Sequence, residues 1–348
     1  DDVGARNLHR LLTHARSADA AWTADRAMLA GCLSPRATER FLATRATINV
    51  SALAITVERE DIAVIPWGDA YYPPMLAQIP DPPIALFVRG ATALLRERAI
   101  AVVGTRAATP YGIAATELLV GPLARSGLVI TSGLAYGIDA NAHAACMNAG
   151  GRTVAVLGTG VDRASVYPAA HRALAERIIA NGGCVVSEYV PGTMGRPMHF
   201  PGRNRIVAAI TLGTLVIEAP EDSGALITAE FALEFGREVF AIPGPITAPT
   251  SRGSNELLRK GATPITTSDE ILDALHLQIL LPLPAAAPAL TGLAGRIIAA
   301  LGNEPTHVDD LATHVHIPTP ELAAALTTLE LDGAVRDIGG GRYIRMTN

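Results

Sequence analysis

The sequence predicts an α/β protein built on a doubly wound parallel sheet, and three observations carry that prediction. Short apolar runs suited to buried strands recur at Ile100–Val103, Leu128–Thr131, Thr153–Leu157, Cys184–Ser187, Thr214–Ile217 and Glu238–Ile242. Helical stretches separate them at Tyr111–Arg125, Gly137–Asn148, Ala169–Asn181, Asn204–Ala209 and Ala225–Phe235, an alternation that reads as successive βαβ units. The turns after the strands carry Gly104-Thr105-Arg106, Ser132-Gly133, Gly158-Thr159-Gly160 and Ser223-Gly224. Ligands of such sheets bind beyond the carboxyl ends of the strands, so these turns share one rim. Glycine beside a hydroxyl or an Arg, repeated along one rim, is a setting for a polyanion.

The flanks differ from this core. Residues 1–60 read as short helices: Leu8, Leu11 and Leu12 share a face, Ser34-Pro35 opens a helix as cap and first-turn proline, and Phe41-Leu42 closes it. A helix-hairpin-helix DNA module and a plain interaction domain both fit, and the weak hairpin at Leu29-Ala30-Gly31 favours the second. Residues 61–275 form the main domain, entered through Tyr72-Pro73-Pro74, Pro80, Pro82 and Pro83 and a strand at Ile84–Val88. A Pro/Ala linker follows at 276–290. Residues 291–348 place helices at Leu293–Leu301, Val308–His314 and Pro320–Leu331, the last capped by Thr319, before a hairpin of Ala334–Ile338 and Arg342–Met346. That order is a winged helix. Its third helix holds Glu321 and Glu330 and no Arg or Lys, which suits protein contact or packing rather than a phosphate-lined groove.

At 348 residues and 49% hydrophobic the chain can bury a large core. Its net charge of −5 argues against coating duplex DNA, so any affinity for nucleic acid must come from a local patch. Lys260 is the single lysine; the remaining cations are Arg, whose fork fits phosphate. Cys32, Cys146 and Cys184 form no C-x-x-C pair, which excludes a disulfide framework or zinc ribbon and fits a reducing cytoplasm. No apolar run reaches membrane length, and the Asp1 start has no signal-peptide core, so a cytoplasmic protein without a membrane partner is expected. A start without Met points to a trimmed or renumbered chain.

The sharpest local signal lies at His199–Ile210. Between Tyr189 and Ile217 the only Arg, Lys, Asp or Glu residues are Arg196, Arg203 and Arg205. Arg203 and Arg205 flank Asn204, where an apolar helical run begins, and this puts guanidinium groups and free N–H groups at one helix start. Phe200 adds a flat apolar face, the pairing used by single-strand binders. A salt-bridged surface helix over a core Phe fits the same residues. Enzyme motifs fail: a dinucleotide fingerprint at Gly158 would need glycine at Arg163, and Lys260 stands in no P-loop. Asp139 and His143, four apart, are an acid–base pair or, preferably, helix-packing groups. Glu188 and Glu218 end strands at the rim, where each orients an Arg or marks a lost catalytic role. No cofactor or metal is expected.

Several runs occur in a telling order: Ala-Val-Val-Gly-Thr-Arg (101–106), Ser-Gly-Leu-Ala-Tyr-Gly-Ile-Asp-Ala (132–140), Gly-Arg-Thr-Val-Ala-Val-Leu-Gly-Thr-Gly-Val-Asp (151–162), Ser-Glu-Tyr (187–189), Phe-Pro-Gly-Arg-Asn-Arg-Ile (200–206), Ser-Gly-Ala-Leu-Ile-Thr-Ala (223–229) and Gly-Arg-Glu-Val-Phe-Ala-Ile-Pro-Gly (236–244). Together they resemble the DprA/Smf family, DNA processing protein A of natural transformation. The resemblance implies an extended Rossmann-like sheet between a small helical, SAM-like domain and a winged-helix domain. It also implies a non-enzymatic protein that binds and protects single-stranded DNA, loads the RecA recombinase, and forms a homodimer through the segment around Glu238 to Ala262.

Position by position, Gly104, Thr105 and Arg106 are similar to the family's phosphate motif, with Thr in place of the commoner Ser or Ala. Arg203, Asn204 and Arg205 match its Arg-Asn-Arg, and Phe200 resembles the aromatic that meets a base. Gly202 stands where a larger residue is commoner. Ser132, Gly133, Ser223 and Gly224 complete the expected phosphate rim, and Arg172 and Arg196 are expected as peripheral strand contacts. The alternative is a nucleotide-processing enzyme similar to phosphoribohydrolases, whose paired loop glycines would fall at Glu221 and Asp222; those charges oppose a nucleotide phosphate.

Overall fold

The computed structural model describes residues 3–277, 293–301, 306–331, 334–337 and 339–345. The linker expected at 276–290 lies outside the described residues from 278 onward. The chain divides into two compact units, Asp1–Ile279 and Leu280–Asn348. Among the described residues no helix is long and apolar enough to cross a membrane.

The first unit opens with helices α1 (Ala5–Ala15), α2 (Ala18–Thr23), α3 (Arg26–Cys32), α4 (Pro35–Thr47) and α5 (Val50–Arg59). Ser17, Asp25, Ser34 and Asn49 each cap the helix that follows by accepting a first-turn N–H, which satisfies a donor the helix cannot. Leu11, Leu29, Leu33 and Phe41 form a core of their own. Helix α4 does not close at Phe41-Leu42 but runs on to Thr47, because nothing after Leu42 breaks a helix.

The sheet has nine strands: β1 (Ala63–Pro66), β2 (Ala85–Gly90), β3 (Ala99–Val103), β4 (Val129–Ser132), β5 (Thr153–Val156), β6 (Cys184–Ser187), β7 (Gly213–Val216), β8 (Glu238–Ala241) and β9 (Thr263–Pro264). A one-turn helix α6 (Pro74–Ala77) interrupts the lead-in, and α7 (Pro110–Arg125), α8 (Ile138–Asn148), α9 (Arg172–Ala180), α10 (His199–Ala209), α11 (Gly224–Glu234), α12 (Arg252–Arg259) and α13 (Ser268–Ala274) supply the connections and the end of the unit. The strand order is β1-β2-β6-β5-β4-β3-β7-β8-β9. Pairing is parallel from β6 to β9, whereas β2 joins β6 and β1 joins β2 antiparallel. Central strands are buried along their whole length, the condition of a sheet covered on both faces. Ile100 and Val102 face α7, α8 and α13, while Ala101 and Val103 face the side of α10, α11 and α12.

Three further elements depart from expectation. Strands β1 and β9 have no counterpart in the periodicity: β9 is only two residues long, and β1 is an edge strand in which Ile65 alone is buried. Helix α10 begins at His199 and not at Asn204, because Pro201 falls in its first turn, where a missing N–H costs nothing. Arg203 and Arg205 therefore sit inside the helix and not at its start.

The second unit contains α14 (Leu293–Ala300), β10 (Thr306–His307), α15 (Val308–Val315), α16 (Thr319–Leu331), β11 (Val335–Asp337) and β12 (Arg342–Arg345), with sheet order β10-β12-β11. Ile297, Leu311, Leu322, Leu326 and Val335 pack as its core. This is a winged helix. Thr319 is the first residue of α16 rather than the residue before it.

Arg205 ties three parts of the first unit together. Its Nη1 and Nη2 donate to Glu188 at 3.0 and 2.7 Å, and its Nε donates to Asp81 at 3.3 Å. Tyr72 Oη donates to Pro83 O at 2.7 Å and closes the proline-rich lead-in over the same corner. Removing one partner of such a pair strands the other, at about 3 kcal/mol. Arg205→Ala is therefore expected to lower the melting temperature by several degrees, read by thermal denaturation. An unchanged melting curve would show that the corner holds without the guanidinium.

Candidate nucleic-acid interface

The connections after β3 and β7 leave for opposite faces of the sheet, so a crevice opens between the carboxyl ends of these neighbouring strands. The turn after β3 is clamped into this crevice. Thr105 N donates to Glu218 O at 2.7 Å, and Ile138 N at the start of α8 donates to Thr105 O at 3.1 Å. A Cβ at Gly104 would lie 2.6 Å from Ile138 Cγ1, so only glycine passes here. Glu218 is buried, and its carboxylate accepts from Thr109 N at 3.1 Å and from Thr109 Oγ1 at 3.0 Å. It holds the loop between β3 and α7 and orients no Arg. Glu188, by contrast, does orient one, Arg205. At the tip of the turn Arg106 is exposed and makes no hydrogen bond or ion pair with a described residue.

Beneath the turn lies Arg203, only 5% exposed. Its Nη1 donates to Gly133 O at 2.6 Å and to Val156 O, and its Nε donates to Asn204 Oδ1 at 3.2 Å. Asn204 Nδ2 in turn donates to Gly224 O at 3.1 Å, which joins α10 to the start of α11. Asp139 accepts from Gly133 N at 3.0 Å and Ala135 N at 3.3 Å. Burial pushes the Asp139 carboxyl above its usual range, against the opposing pull of Arg203. Burial also lowers Arg203 to about 10, which leaves it a cation at neutral pH. A Cβ at Gly133 would sit 2.3 Å from Arg203 Nη2.

The cleft above these groups has a volume of about 340 Å³. Gly104, Thr105, Arg106, Gly133, Phe200, Arg203, Asn204, Ser223 and Gly224 all line it. Ser223 caps α11 through its Oγ, which accepts Ala225 N at 3.3 Å, and the cleft thus meets a helix N-terminus. Asp222 lines the same opening and opposes an anion there.

Four expected contacts do not belong to the cleft lining. Ser132 is fully buried and donates its hydroxyl to Val102 O at 2.7 Å. Arg205 turns toward Glu188 and Asp81, because two residues along a helix carry it away from the direction of Arg203. Arg172 is exposed and donates to Ala164 O, and Arg196 is exposed in the loop before α10; neither lines the cleft. Arg203 itself is part of the floor and not a side chain reaching into solvent. Asp139 and His143 form no acid–base pair: His143, held neutral by burial that lowers its pKa to about 3, meets Thr153 Oγ1 at 2.7 Å. Among the described residues no three His, Cys, Asp or Glu side chains are grouped to hold a metal ion.

Two residues were missed by sequence reasoning. Tyr136 and Tyr167 line a recess that continues the cleft past Phe200. Tyr136 stands inside the Ser-Gly-Leu-Ala-Tyr-Gly run and could have been noticed there. Tyr167 is far from the rim in sequence, and only folding brings its ring centroid to 5.4 Å from that of Phe200.

Comparison with known proteins places the chain in a family. The family model described as DNA recombination-mediator protein A matches residues 63–276, and the DprA winged helix domain matches residues 281–341. Protein Smf of Escherichia coli is 39% identical over 333 residues, covering 90% of this chain and 85% of the relative. DNA processing protein DprA of Streptococcus pneumoniae is 45% identical over 204 residues, covering 59% of this chain and 71% of the relative. The X-ray structure of DprA from Streptococcus pneumoniae superposes with a TM-score of 0.68 at 35% identity, covering 78% of this chain and 94% of that one. DNA processing protein A from Helicobacter pylori, solved for its single-stranded DNA binding mode, superposes with a TM-score of 0.56 at 29% identity, covering 62% of this chain and 95% of that one. Since the family's main model spans the whole sheet from β1 to α13 and its winged-helix model matches the second unit, this chain belongs to the DprA/Smf family of DNA recombination mediators.

Proposed function

We propose that the cleft at the β3/β7 crevice binds single-stranded DNA, which the protein shields and passes to the RecA recombinase during natural transformation in the cytoplasm. The observation that carries this reading is Arg106, an exposed guanidinium without a described partner, in the same cleft as the N-terminus of α11 and the ring of Phe200. Phosphates meet Arg106, the Thr105 hydroxyl and the Gly224 amide, Ser223 N being spent on Pro220 O; Arg203 supplies positive potential from below, and Phe200 takes a base. The Helicobacter pylori relative, a single-stranded DNA binder, supports the assignment. A binding role is favoured over catalysis: of the two carboxylates that line the cleft, Asp139 is spent on two amides and only Asp222 is left, while Glu218 behind it is spent on Thr109. The phosphoribohydrolase alternative gains nothing, since Glu221 and Asp222 are exposed at the place of its paired glycines.

The homodimer is proposed on the segment around Glu238 to Ala262. Within it Ile246 is 91% exposed, at the tip of a loop that is held rigid. Asn255 accepts from Gly244 N and donates to Gly244 O, both at 3.1 Å, and Tyr111 Oη donates to Pro243 O at 2.8 Å. A preorganised apolar tip is suited to bury itself in a partner at low entropic cost.

Four expected outcomes test this reading. In fluorescence anisotropy with a single-stranded oligonucleotide, Arg106→Ala weakens binding and reduces the log affinity against log salt slope by about 0.7, with an unchanged melting curve. Phe200→Ala instead costs about 1–3 kcal/mol and leaves that slope alone, since stacking releases no counterions. If both variants bind as the parent does, the cleft is not the site. A chain ending at Leu290 keeps the parent's affinity, because α16 offers phosphate Glu321 and Glu330 and no cation; loss of binding would move the site to the winged helix. Ile246→Asp converts the dimer to a monomer in sedimentation velocity at micromolar concentration, and a dimer that survives it must be built elsewhere.

A further inference from the structure

Helix α5 is lodged differently from the four helices before it. No residue of α5 belongs to the core that unites α1 to α4, and its Val50 and Ile55 are exposed. Its last turn instead enters the sheet domain, where Val57, with Ile62 just after the helix, packs into one cluster with Leu134, Val161 and Val166. These residues lead into the recess, since Tyr136 follows Leu134 by two positions and Tyr167 follows Val166 directly. Between Val57 and Ile62 stands Glu60, whose side chain is only 12% exposed. We infer that Glu60 is a positioning residue for the nucleic-acid cleft: from the end of α5 it fixes the loop of residues 161–168, and through that loop it sets the affinity for the strand. The inference rests on the single-stranded DNA reading and extends it to an element outside the cleft.

The bonds of Glu60 suit that task. Its carboxylate accepts from Arg163 N at 3.3 Å and from Arg163 Nη1 at 3.5 Å, and so grips the loop by main chain and side chain together. Arg163 Nε in turn lies 3.4 Å from Glu176 Oε1, and Glu176 accepts from Arg89 Nη2 at 2.9 Å. Arg89 is buried on β2, so the far end of this series of ion pairs is anchored in the sheet. Within the loop, buried Asp162 accepts from Ser165 N at 3.2 Å, Ser165 Oγ at 2.9 Å and Gly192 N at 2.7 Å. The two carboxylates divide the work. Asp162 belongs to the loop and fixes its shape, whereas Glu60 comes from another element and fixes where the loop sits. Tyr167, four residues after Arg163, is 54% exposed and meets Phe200 with ring centroids 5.4 Å apart, so a displacement of the loop changes the width of the recess. A wall fixed before the strand arrives gives up less freedom on binding than a loose one, and a bond outside the cleft thereby becomes affinity within it.

The test is a double-mutant cycle on the full chain, read by fluorescence anisotropy with a labelled thymidine oligomer. Glu60→Ala should weaken binding about fivefold, and Glu60→Gln, which keeps an oxygen for Arg163 N, should retain most of the affinity. In a Tyr167→Ala background, itself weaker than the parent, Glu60→Ala should cost nothing more, because the wall it positions is gone. Hydrogen exchange without DNA should quicken across residues 161–168 in Glu60→Ala and stay unchanged across β3 and β7. Equal losses in both backgrounds would overturn the inference, since Glu60 would then serve the fold at large. Unchanged exchange in the loop would overturn it too, as would a Glu60→Ala chain that has lost its cooperative melt. If Glu60→Ala or Tyr167→Ala binds as the parent does while Arg106→Ala weakens binding, the positioning role fails and the single-strand reading stands. If the parent chain binds no oligomer, both fall together.

Discussion

The parting of the chain between β3 and β7 is the constraint on which the site depends. Because α7 and α8 cover one face and α10 and α11 the other, neither set of helices can close the space above these two strand ends. The crevice is a consequence of winding direction and would exist whatever side chains lined it. What the side chains add is a floor and a rim. Thr105 bound to Glu218 O, and Glu218 bound to Thr109, turn a flexible glycine turn into a fixed one that carries Arg106 at its tip.

Two arginines separated by a single residue have opposite roles. Arg203 spends its charge under the cleft on the carbonyls of Gly133 and Val156, with Asp139 close by, and so locks the ends of β4 and β5 to α10. Arg205 spends its charge on Glu188 and Asp81, and so locks α10 to β6 and the lead-in. Desolvating a guanidinium is costly, and both sites offset that cost with several hydrogen bonds. Helix α10 is consequently anchored on two sides, which sets Phe200, in its first turn, against Gly158 and Tyr167.

An acidic protein can present a cationic site because charge acts locally. The net charge of −5 is spread over 348 residues, and beyond about 10 Å it is screened at moderate salt. Within the cleft the balance is set by Arg106 and Arg203 against Asp139 and Asp222. The winged-helix unit carries no compensating cation on α16, in keeping with a contact role.

Alternation of apolar runs with helical stretches was enough to establish the parallel sheet, its central strands and the winged helix, because burial on both faces and a period near 3.6 are properties of contiguous residues. Gly104, Thr105, Arg106 and the Ser223-Gly224 turn were also legible as one rim, since each directly follows a strand or precedes a helix, and Phe200 was legible by its place beside the arginines of one segment. Strand β1 was not, for as an edge strand it buries only Ile65 and carries no apolar run. The roles of Arg203, Arg205 and Ser132 were not legible either. Which way a side chain points from a helix depends on where that helix begins, and Pro201 concealed the start at His199. Whether a hydroxyl or guanidinium meets solvent or a carbonyl depends on partners such as Val102, Val156 and Glu188, distant in sequence. The meeting of Tyr136, Tyr167 and Phe200 was decided by tertiary structure alone: their loops follow different strands, and only the winding of the sheet brings the three rings to one recess.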